Sequence, residues 1–287
     1  MRDLVRCPIC HSESLTDFLS TADHFGTQES FSLKKCPSCN GLSTSPQPNE
    51  EEIIPYYKAN NYISHGEDPS KVLSFIYKTI QKINFHFKKN ILLKHSPQKN
   101  ILDYGCGTGE FLKYLKNKGW ESHGIEPDEQ AKQLATAKGV EIIDLQDLNK
   151  NYDIISLFHV LEHIHQLHET IEKLISHLSA DGHLVIALPN YRSHDAEHYH
   201  QYWAGYDVPR HLYHFSTTTV NELFQKFGLK IVQQYPMYFD SYYVSLLSEE
   251  YKTGKKRILP AFFHGFKSNW SARRTKEYSS IIYVLNR

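Results

Sequence analysis

The chain has 287 residues, of which 40% are hydrophobic and 22% are charged, a balance typical of folded globular proteins and not of disordered or fibrous ones. With 32 basic and 32 acidic residues the formal net charge is zero, so the chain as a whole is not expected to be drawn to nucleic acid or to an anionic membrane. No apolar run approaches the roughly 20 residues that span a bilayer, and the first residues lack the apolar core of a secretory signal. We therefore expect a cytoplasmic protein with no membrane partner.

The neutral total conceals an uneven distribution of charge. Residues 69–100 contain seven lysines and no acid, residues 101–190 contain seven lysines and fourteen acids, and residues 252–287 contain nine basic residues and one glutamate. One interpretation is that these lysines cover solvated helix faces and loops. The other is a basic rim that receives a phosphorylated or otherwise anionic substrate.

Residues 1–42 are predicted to form a small zinc-ribbon-like module. Four of the five cysteines lie there as two close pairs, each with two intervening residues. The segment has too little apolar sequence to fold without a stabilising metal or cross-link. In a reducing compartment this spacing predicts a tetrahedral metal site rather than disulfides. Four thiolates leave no open position for water, so the predicted Zn²⁺ is structural. The predicted ligands are Cys7, Cys10, Cys36 and Cys39.

Residues 43–98 are interpreted as a linker and an N-terminal lid or helix. Prolines and an aromatic run that includes Tyr56, Tyr57 and Tyr62 mark the connector. Apolar residues then recur at helical spacing from Lys71 to about His95, which predicts an amphipathic helix.

Residues 99–287 alternate short apolar strands with helical patterns, which predicts an α/β domain with a parallel sheet covered by helices on both faces. The predicted strands are Asn100–Tyr104, Glu121–Glu126, Val140–Ile143, Asp153–Phe158, His183–Leu188, Leu229–Gln234 and Tyr278–Leu285. The predicted helices are Glu110–Lys118, Asp128–Lys138, Gln166–Leu178 and one that begins in the cluster Ser216–Thr219 and ends at Gly228.

The first of these strands runs into three alternating glycines that precede a helix, in the pattern G-x-G-x-G. Glycines at this place let the backbone approach a ligand at the carboxyl edge of the sheet. Asp103 precedes them, and Glu126 follows at the end of the next strand, where its two oxygens can accept from both hydroxyls of a ribose. A dinucleotide dehydrogenase is the competing interpretation. It is disfavoured because its fingerprint is G-x-G-x-x-G and because Asp103 would be poorly placed beside pyrophosphate.

In the glycine motif, in Glu126 and in the segment Tyr152–His163, the chain resembles the class I S-adenosylmethionine-dependent methyltransferases. The resemblance implies a Rossmann-like, doubly wound sheet of seven strands and S-adenosylmethionine (SAM) as cofactor. It implies that Gly105, Cys106 and Gly107 line the methionine and ribose part and that Glu126 holds the ribose, and the carboxylate of Asp103 beside them suits a sulfonium or amino group. It also implies that the region of Asp144 and Leu145 borders the adenine and that Phe158 and His159 flank the methionine.

The segment His159-Val160-Leu161-Glu162-His163 also matches the zinc-peptidase pattern H-x-x-E-H. That pattern requires a helix, whereas this segment follows a predicted strand, so we reject the peptidase interpretation. Some O-methyltransferases with a similar core bind a divalent metal here, with Glu in place of His159. A metal role for Glu162 and His163 is therefore the alternative to a local structural one.

Residues 190–215 are interpreted as a substrate loop inserted after the fifth strand, because they are rich in His, Tyr and Asp. Histidine titrates near neutral pH and can remove a proton from the acceptor. His211 is the first candidate base and His214 the second. Arg210 is predicted to pair with an acceptor anion, and Asp207 completes the candidate catalytic set, although each of these residues also has a purely structural interpretation.

These features predict methyl transfer to an oxygen or a carbon of a small molecule. A sugar and a secondary metabolite are the candidate acceptors. One alternative is an RNA base methyltransferase, since some of these also carry a zinc module. Residues 1–41 contain four basic and five acidic side chains, which argues against a nucleic-acid-binding surface there. The other alternative is a non-catalytic scaffold, and the intact glycine motif argues against loss of cofactor binding. The sequence indicates neither the acceptor nor an oligomeric state.

Overall fold

The structure is a computed structural model that describes residues 1–58, 71–96 and 98–287. Tyr62 and the rest of the predicted connector between residues 59 and 70 lie outside the described residues. The distribution of contacts divides the described chain into two compact units. Unit 1 comprises residues 1–58, 159–167 and 187–283, and unit 2 comprises residues 71–96, 98–158, 168–186 and 284–287.

The elements alternate between helix and strand over most of the chain. In chain order they are β1 (Thr16–Ala22), β2 (Ser30–Lys35), β3 (Leu42–Ser45), α1 (Ile54–Lys58), α2 (Lys71–His95), β4 (Asn100–Tyr104), α3 (Glu110–Lys116), β5 (Glu121–Ile125), α4 (Glu129–Ala137), β6 (Glu141–Ile142), β7 (Tyr152–Phe158), α5 (Leu167–Ser176), β8 (Leu178–Pro189), α6 (His194–Tyr199), β9 (Tyr213–His214), α7 (Thr217–Gln225), β10 (Lys230–Pro236), α8 (Asp240–Thr253), α9 (Ile258–Thr275) and β11 (Ser280–Asn286).

The larger sheet has seven strands in the order β10-β11-β8-β7-β4-β5-β6. Strand β4 pairs in parallel with β5 on one side and with β7 on the other. From β4 the chain winds outward through β5 and β6, then returns to the other side of β4 with β7. Ligands of doubly wound folds bind at such a reversal, outside the carboxyl ends of the strands. The predicted α/β fold with a seven-stranded Rossmann-like sheet is confirmed.

A smaller sheet in unit 1 has the order β1-β2-β3-β9 and is antiparallel throughout. Its last strand comes from the segment interpreted as a substrate loop, since Leu42 pairs with His214 and Ser43 pairs with Tyr213. The segment thus contributes a strand to unit 1. The domain boundaries predicted for the chain at residues 42 and 98 stay predictions.

Buried polar side chains fix the rest of that segment. Ser193 begins α6 by accepting a hydrogen bond from the amide of Ala196. The carboxylate of Asp195 is fully buried and accepts hydrogen bonds from Trp203 Nε1 and from the hydroxyls of Ser268 and Ser279. Since a buried carboxylate is costly unless it is hydrogen-bonded, these three donors hold α6 in one position.

The two helices between β10 and β11 were not predicted from the sequence. Helices α8 and α9 both belong to unit 1 and pack against each other. Among the described residues, no helix combines the length and the apolar composition needed to cross a bilayer.

Candidate functional site

The glycine loop that follows β4 is built in the left-handed region of backbone conformation. Gly107 has φ of 55° and Gly109 has φ of 74°, values that side-chain-bearing residues adopt at a cost. A Cβ on Gly109 would lie 2.9 Å from atoms of Ala135 and Val140, so this glycine lets α3 pack closely on its neighbours. A Cβ on Gly107 would meet nothing within 4 Å. The loop therefore has open space at Gly107 and close packing at Gly109.

The Glu126 carboxylate lies against this loop. Its Oε2 accepts a hydrogen bond from the amide of Gly107 at 2.7 Å, and its Oε1 accepts one from the amide of Asp128 at 3.0 Å. Burial raises the pKa of Glu126, while these two amides act in the opposite direction. Each oxygen keeps a lone pair beyond its amide contact, so the carboxylate can accept from two adjacent hydroxyls.

Asp103 is buried at the end of β4, with 5% of its surface exposed. The Ser156 hydroxyl of β7 donates to Asp103 Oδ1 at 2.6 Å. Burial raises the pKa of Asp103 to about 6, against the effects of Ser156 and the nearby charge of Lys88. A cationic ligand beside such a carboxyl group stabilises its ionised form.

The remaining predicted cofactor residues of unit 2 follow the neighbouring strands. Phe158 ends β7, where its ring packs edge-on against Phe111 and lies 3.9 Å from Lys88 Nζ. Cys106, between the glycines, is half-buried, and burial raises the pKa of its thiol. Asp144 follows β6 and pairs with Lys132 at 3.2 Å. Asp103, Gly105, Cys106, Gly107 and Glu126 thus lie at the carboxyl ends of β4 and β5.

His159, the last predicted cofactor residue, belongs to unit 1. Its Nδ1 lies 3.7 Å from Glu162 Oε1, and its Nε2 lies 3.4 Å from Asp240 Oδ2. Burial opposes protonation, but the two carboxylates outweigh it and raise the pKa of His159 to about 9. His159 is therefore a cation at neutral pH. Its partner Asp240, in the helix α8, gave no signal in the sequence.

Within unit 1, three side chains that offer metal-ligating atoms converge. One atom from each of Glu162, His163 and His211 lies within 4.8 Å of the others. The His163 and His211 rings meet edge to face at 4.6 Å. Glu162 is 1% exposed, and among the described residues neither of its carboxylate oxygens has a hydrogen-bond partner. The H-x-x-E-H match singled out Glu162 and His163, but no sequence pattern joined them to His211.

Hydrogen bonds orient the two histidine rings of this cluster. His211 Nδ1 lies 3.0 Å from the carbonyl oxygen of Gly205, an acceptor, so Nδ1 carries the proton and Nε2 presents a lone pair. His163 Nδ1 lies 3.0 Å from the carbonyl oxygen of Arg210 and 3.1 Å from the Tyr57 hydroxyl. Burial lowers the pKa of His163 to about 4. His163 is thus neutral at physiological pH.

Arg210 and Asp207 form a buried ion pair beside the cluster. Arg210 Nη2 donates to Asp207 Oδ1 at 2.6 Å and to Asp23 Oδ1 at 2.8 Å, and Nη1 donates to the carbonyl oxygen of Tyr56. Asp207 Oδ2 lies 4.0 Å from His211 Nε2. The structure therefore brings Asp207, Arg210 and His211 together and pairs Arg210 with Asp23, a partner that the sequence did not reveal.

His214, the second candidate base, lies apart from these hydrogen bonds, in β9. Its Nε2 is 3.1 Å from Thr44 Oγ1, and 4% of the residue is exposed. Burial lowers its pKa well below the ordinary value. A buried histidine that resists protonation and bonds to a hydroxyl is suited to holding β9 against β3.

The four paired cysteines converge in unit 1, with their sulfur atoms within 4.8 Å of one another. The sulfurs of Cys7 and Cys39 are 3.6 Å apart, and those of Cys10 and Cys36 are 3.5 Å apart. A tetrahedral Zn²⁺ with bonds of about 2.3 Å separates its thiolates by about 3.8 Å, so the donor set fits this ion. The hydrogen bond with Cys39 lowers the pKa of Cys7 to about 5, which favours the thiolate form of one ligand.

Both pairs adopt the same turn. The amide of His11 donates to the carbonyl oxygen of Cys7 at 2.8 Å, and the amide of Asn40 donates to that of Cys36 at 2.9 Å. His11 and Asn40 each follow the second cysteine of a pair and have positive φ, 66° and 56°. Two equivalent turns thus present the sulfurs to one point, as the spacing predicted.

Comparison with known proteins agrees with this architecture. Residues 76–234, more than half of the chain, match the family model described as a methyltransferase domain. An uncharacterized methyltransferase of Alkaliphilus oremlandii is 31% identical over 103 residues, which cover 33% of this chain and 48% of that protein. A ubiquinone biosynthesis O-methyltransferase of Rickettsia canadensis is 30% identical over 121 residues, which cover 39% of this chain and 49% of that protein. The chain thus spans about half the length of the curated relatives it matches.

Solved structures share the fold at low identity. Magnesium protoporphyrin IX methyltransferase from Synechocystis PCC 6803 with bound SAH has a TM-score of 0.52 and 15% identity, covering 83% of this chain and 100% of that one. The same enzyme with bound SAM has a TM-score of 0.50 and 15% identity, covering 85% of this chain and 100% of that one. From the family match and this fold, we conclude that the chain belongs to the methyltransferase-domain family and has the class I methyltransferase fold.

Proposed function

We propose that the protein transfers a methyl group from S-adenosylmethionine to an oxygen or a carbon of a small molecule. The observation that carries the proposal is the Glu126 carboxylate, hydrogen-bonded to the amide of Gly107 beside the open space of the glycine loop. When bound, the cofactor supplies a methyl group on a cationic sulfur. The residues of this chain bind and orient it, and they accept the proton that the acceptor loses.

The residues of unit 2 fit such a cofactor by charge and by donor chemistry. Glu126 offers two acceptor atoms to a ribose diol, and Gly107 has no side chain that would fill the adjacent space. Asp103 is a buried carboxylate whose ionised form a cationic group would stabilise. Phe158 and Phe111 supply apolar surface at the end of β7. The set suits a nucleoside that carries a positive charge.

Replacing Glu126 by Ala should weaken SAM binding by about 1–3 kcal/mol, because two hydroxyls lose a charged acceptor. Isothermal titration calorimetry measures the effect. Glu129→Ala is the matched control, since Glu129 is an exposed carboxylate of α4 that lies 3.8 Å from Lys132. Absence of SAM binding by the wild-type protein, or binding of NAD in its place, would overturn the assignment.

Cofactor affinity should also fall as the pH drops below about 6. Burial raises the pKa of Asp103 to about 6, so the carboxylate is ionised at pH 7.5 and mostly protonated at pH 5. A cation stabilises only the ionised form, so affinity at pH 5 should be up to about tenfold lower than at pH 7.5. In Asp103→Asn this ratio should shrink, because that position no longer titrates. Equal ratios for the variant and the wild type would show that Asp103 does not face the cation.

On the acceptor side, we assign the base to His211. Its Nδ1 donates to the carbonyl oxygen of Gly205, so Nε2 is free of a proton and can take one. The carboxylate of Glu162, buried and without a hydrogen-bond partner among the described residues, lies beside the ring, and its Oε1 is also 3.7 Å from His159 Nδ1. Asp207 adds a second carboxylate at 4.0 Å. The assignment rests on this orientation of the ring and on its place in the buried cluster.

A divalent cation is the second candidate role for Glu162, His163 and His211, favoured by the convergence of their ligand atoms. The two roles differ in their response to metal. A base acts in the presence of chelator, whereas with a cation site turnover requires added Mg²⁺ or a transition metal, and Glu162→Gln should lose the turnover that metal restores. The measurement is turnover after dialysis against chelator, with and without added metal.

The acceptor is proposed to be a small molecule, and the relatives that act in ubiquinone biosynthesis favour an oxygen acceptor. A nucleic acid is disfavoured because residues 1–41 carry more acidic than basic side chains. Incubation with radiolabelled SAM and separate pools of phenols, sugars and RNA distinguishes these classes. Label in the RNA pool alone would contradict the proposal.

A further inference from the structure

The large apolar side chains of helix α9 face solvent, whereas a helix packed in a globular protein usually buries such side chains. Its buried face consists of small residues, Ala261, Gly265, Ser268 and Ala272. Its bulky apolar residues face solvent with large exposed fractions: Leu259 83%, Phe262 61%, Phe263 60%, Phe266 48% and Trp270 61%. At 100° per residue these five lie on one side of the helix, opposite the buried face. We call them the aromatic stripe.

The small face is explained by packing within the chain. A Cβ on Gly265 would lie 2.8 Å from Tyr242 Cδ1 and 2.9 Å from its Cα, so α8 and α9 approach closely there. The hydroxyl of Ser241 in α8 donates to the carbonyl oxygen of Gly265 at 3.1 Å, and Ser241, Ser245 and Ser248 are all fully buried. The contact requires small residues on one face of α9 and does not determine which residues occupy the opposite face. The aromatic stripe therefore needs an explanation outside the fold.

The apolar surface extends onto α8. Phe262 stacks on Tyr242 with 5.1 Å between ring centroids, and Tyr243 is 65% exposed. Just before α8, Tyr238 and Phe239 are 51% and 39% exposed. A contiguous, solvent-exposed apolar surface of this extent marks a binding surface.

Basic residues predominate around the stripe. Residues 251–276 contain eight lysines and arginines and no aspartate or glutamate. Lys256 and Arg257, directly before α9, pair with Glu250 and Glu249 of α8, and Lys255, Lys267 and Arg274 are exposed. The guanidinium of Arg273 lies 5.1 Å from the centroid of the Trp270 ring. The partner of this surface must be both apolar and anionic.

We propose that α9 binds in the plane of a bilayer containing anionic phospholipid, with the aromatic stripe inserted at the headgroup level and the lysines and arginines against lipid phosphates. Helices that lie in an interface have this combination of Phe, Trp and Leu on one side and flanking cations. Arginine and lysine stems reach from apolar surface to phosphate, as the Arg273–Trp270 contact illustrates.

A second copy of this chain fits the surface less well. A twofold contact would bring the same patch against itself, so the basic residues of one α9 would face those of the other. The bilayer has the opposite charge and no such conflict. The zero net charge does not oppose this binding, because nearby charges dominate over distances of about 8 Å at physiological salt.

Vesicle co-sedimentation of the full chain tests the proposal. The vesicles are phosphatidylcholine alone, or equal parts of phosphatidylcholine and phosphatidylglycerol. We expect binding to the phosphatidylglycerol vesicles that weakens as salt is raised. The triple variant Phe263→Ser, Phe266→Ser, Trp270→Ser and the charge variant Lys267→Glu, Arg274→Glu should each bind at least tenfold more weakly. The exposed residues Leu134 and Lys118 provide matched controls as Leu134→Ser and Lys118→Glu, which should bind like the wild type.

Circular dichroism and SAM titration of the same variants report on folding and on unit 2. Both should be unchanged, so failure of vesicle binding is distinct from failure of the proposed methyl transfer. The proposal is overturned if neither vesicle binds, or if binding is insensitive to the stripe variant. It is also overturned if the wild type is a dimer by light scattering that the stripe variant dissociates while no vesicle is bound. Binding of single-stranded RNA but not of vesicles would assign the surface to nucleic acid instead.

Discussion

Replacing Cys36 by Ser is expected to remove zinc from the purified protein and to lower its thermal midpoint by about 10 °C or more. Structural Zn²⁺ contributes about 10–16 kcal/mol of apparent binding free energy in zinc-finger peptides, and this energy is available only to the folded state. Loss of one of four thiolates breaks the tetrahedral set, while the other three lie buried or half-buried without their ion. A loss of several kcal/mol corresponds to such a shift in a chain of this size.

Elemental analysis and calorimetric unfolding measure the two effects in the same sample. Cys106→Ser is the matched control for metal content, because Cys106 lies outside the four-sulfur cluster. The wild type should contain one zinc per chain and the control should contain the same amount. A wild-type protein that is free of metal and keeps its unfolding midpoint in chelator would show that the cysteines are buried thiols without an ion.

Replacing His211 by Ala is expected to lower turnover by about 100-fold or more while leaving SAM affinity nearly unchanged. A positioned base contributes about 10²–10⁴-fold to the rate, and it acts in the transition state rather than on the bound cofactor. The proposed cofactor residues Asp103, Gly107 and Glu126 lie in unit 2, whereas His211 lies in unit 1, so the variant removes none of these proposed contacts.

Single-turnover kinetics at saturating acceptor provide the measurement once the acceptor is known. His86, an exposed residue of α2, supplies the control His86→Ala, which should turn over normally. His214→Ala should reduce turnover less and stability more, because His214 is buried against Thr44 in the sheet contact. Normal turnover of His211→Ala, or simultaneous loss of its fold and cofactor binding, would identify His211 as a structural residue.

The larger sheet could be predicted from the sequence because its signals are local. Residues such as Ile101, Ile154 and Val185 stand in short apolar runs and are fully buried. The glycine loop and Glu126 follow two such runs, so parallel pairing of β4 with β5 was enough to bring them to one edge. The cysteine turns are local as well, since each pair is held by a hydrogen bond across four residues.

The contacts of the proposed acceptor side could not be predicted because they join distant parts of the chain. Glu162 and His211 are 49 positions apart, and Asp23 reaches Arg210 across 187 positions. No periodicity relates such pairs. Helix α9 was missed for another reason: its apolar residues follow helical spacing, but Pro260 and Gly265 interrupt the pattern that would mark a helix.

The pairing of β3 with β9 has a consequence for the order in which the chain acquires its structure during synthesis. Ser43 leaves the ribosome 170 residues before its partner Tyr213, which at about 5–20 residues per second is a delay of roughly 10–30 s. For that time β3 has an unpaired edge, the kind of edge that recruits strands of other chains. Three of its four residues are Ser or Thr, a composition that resists such recruitment while the strand waits.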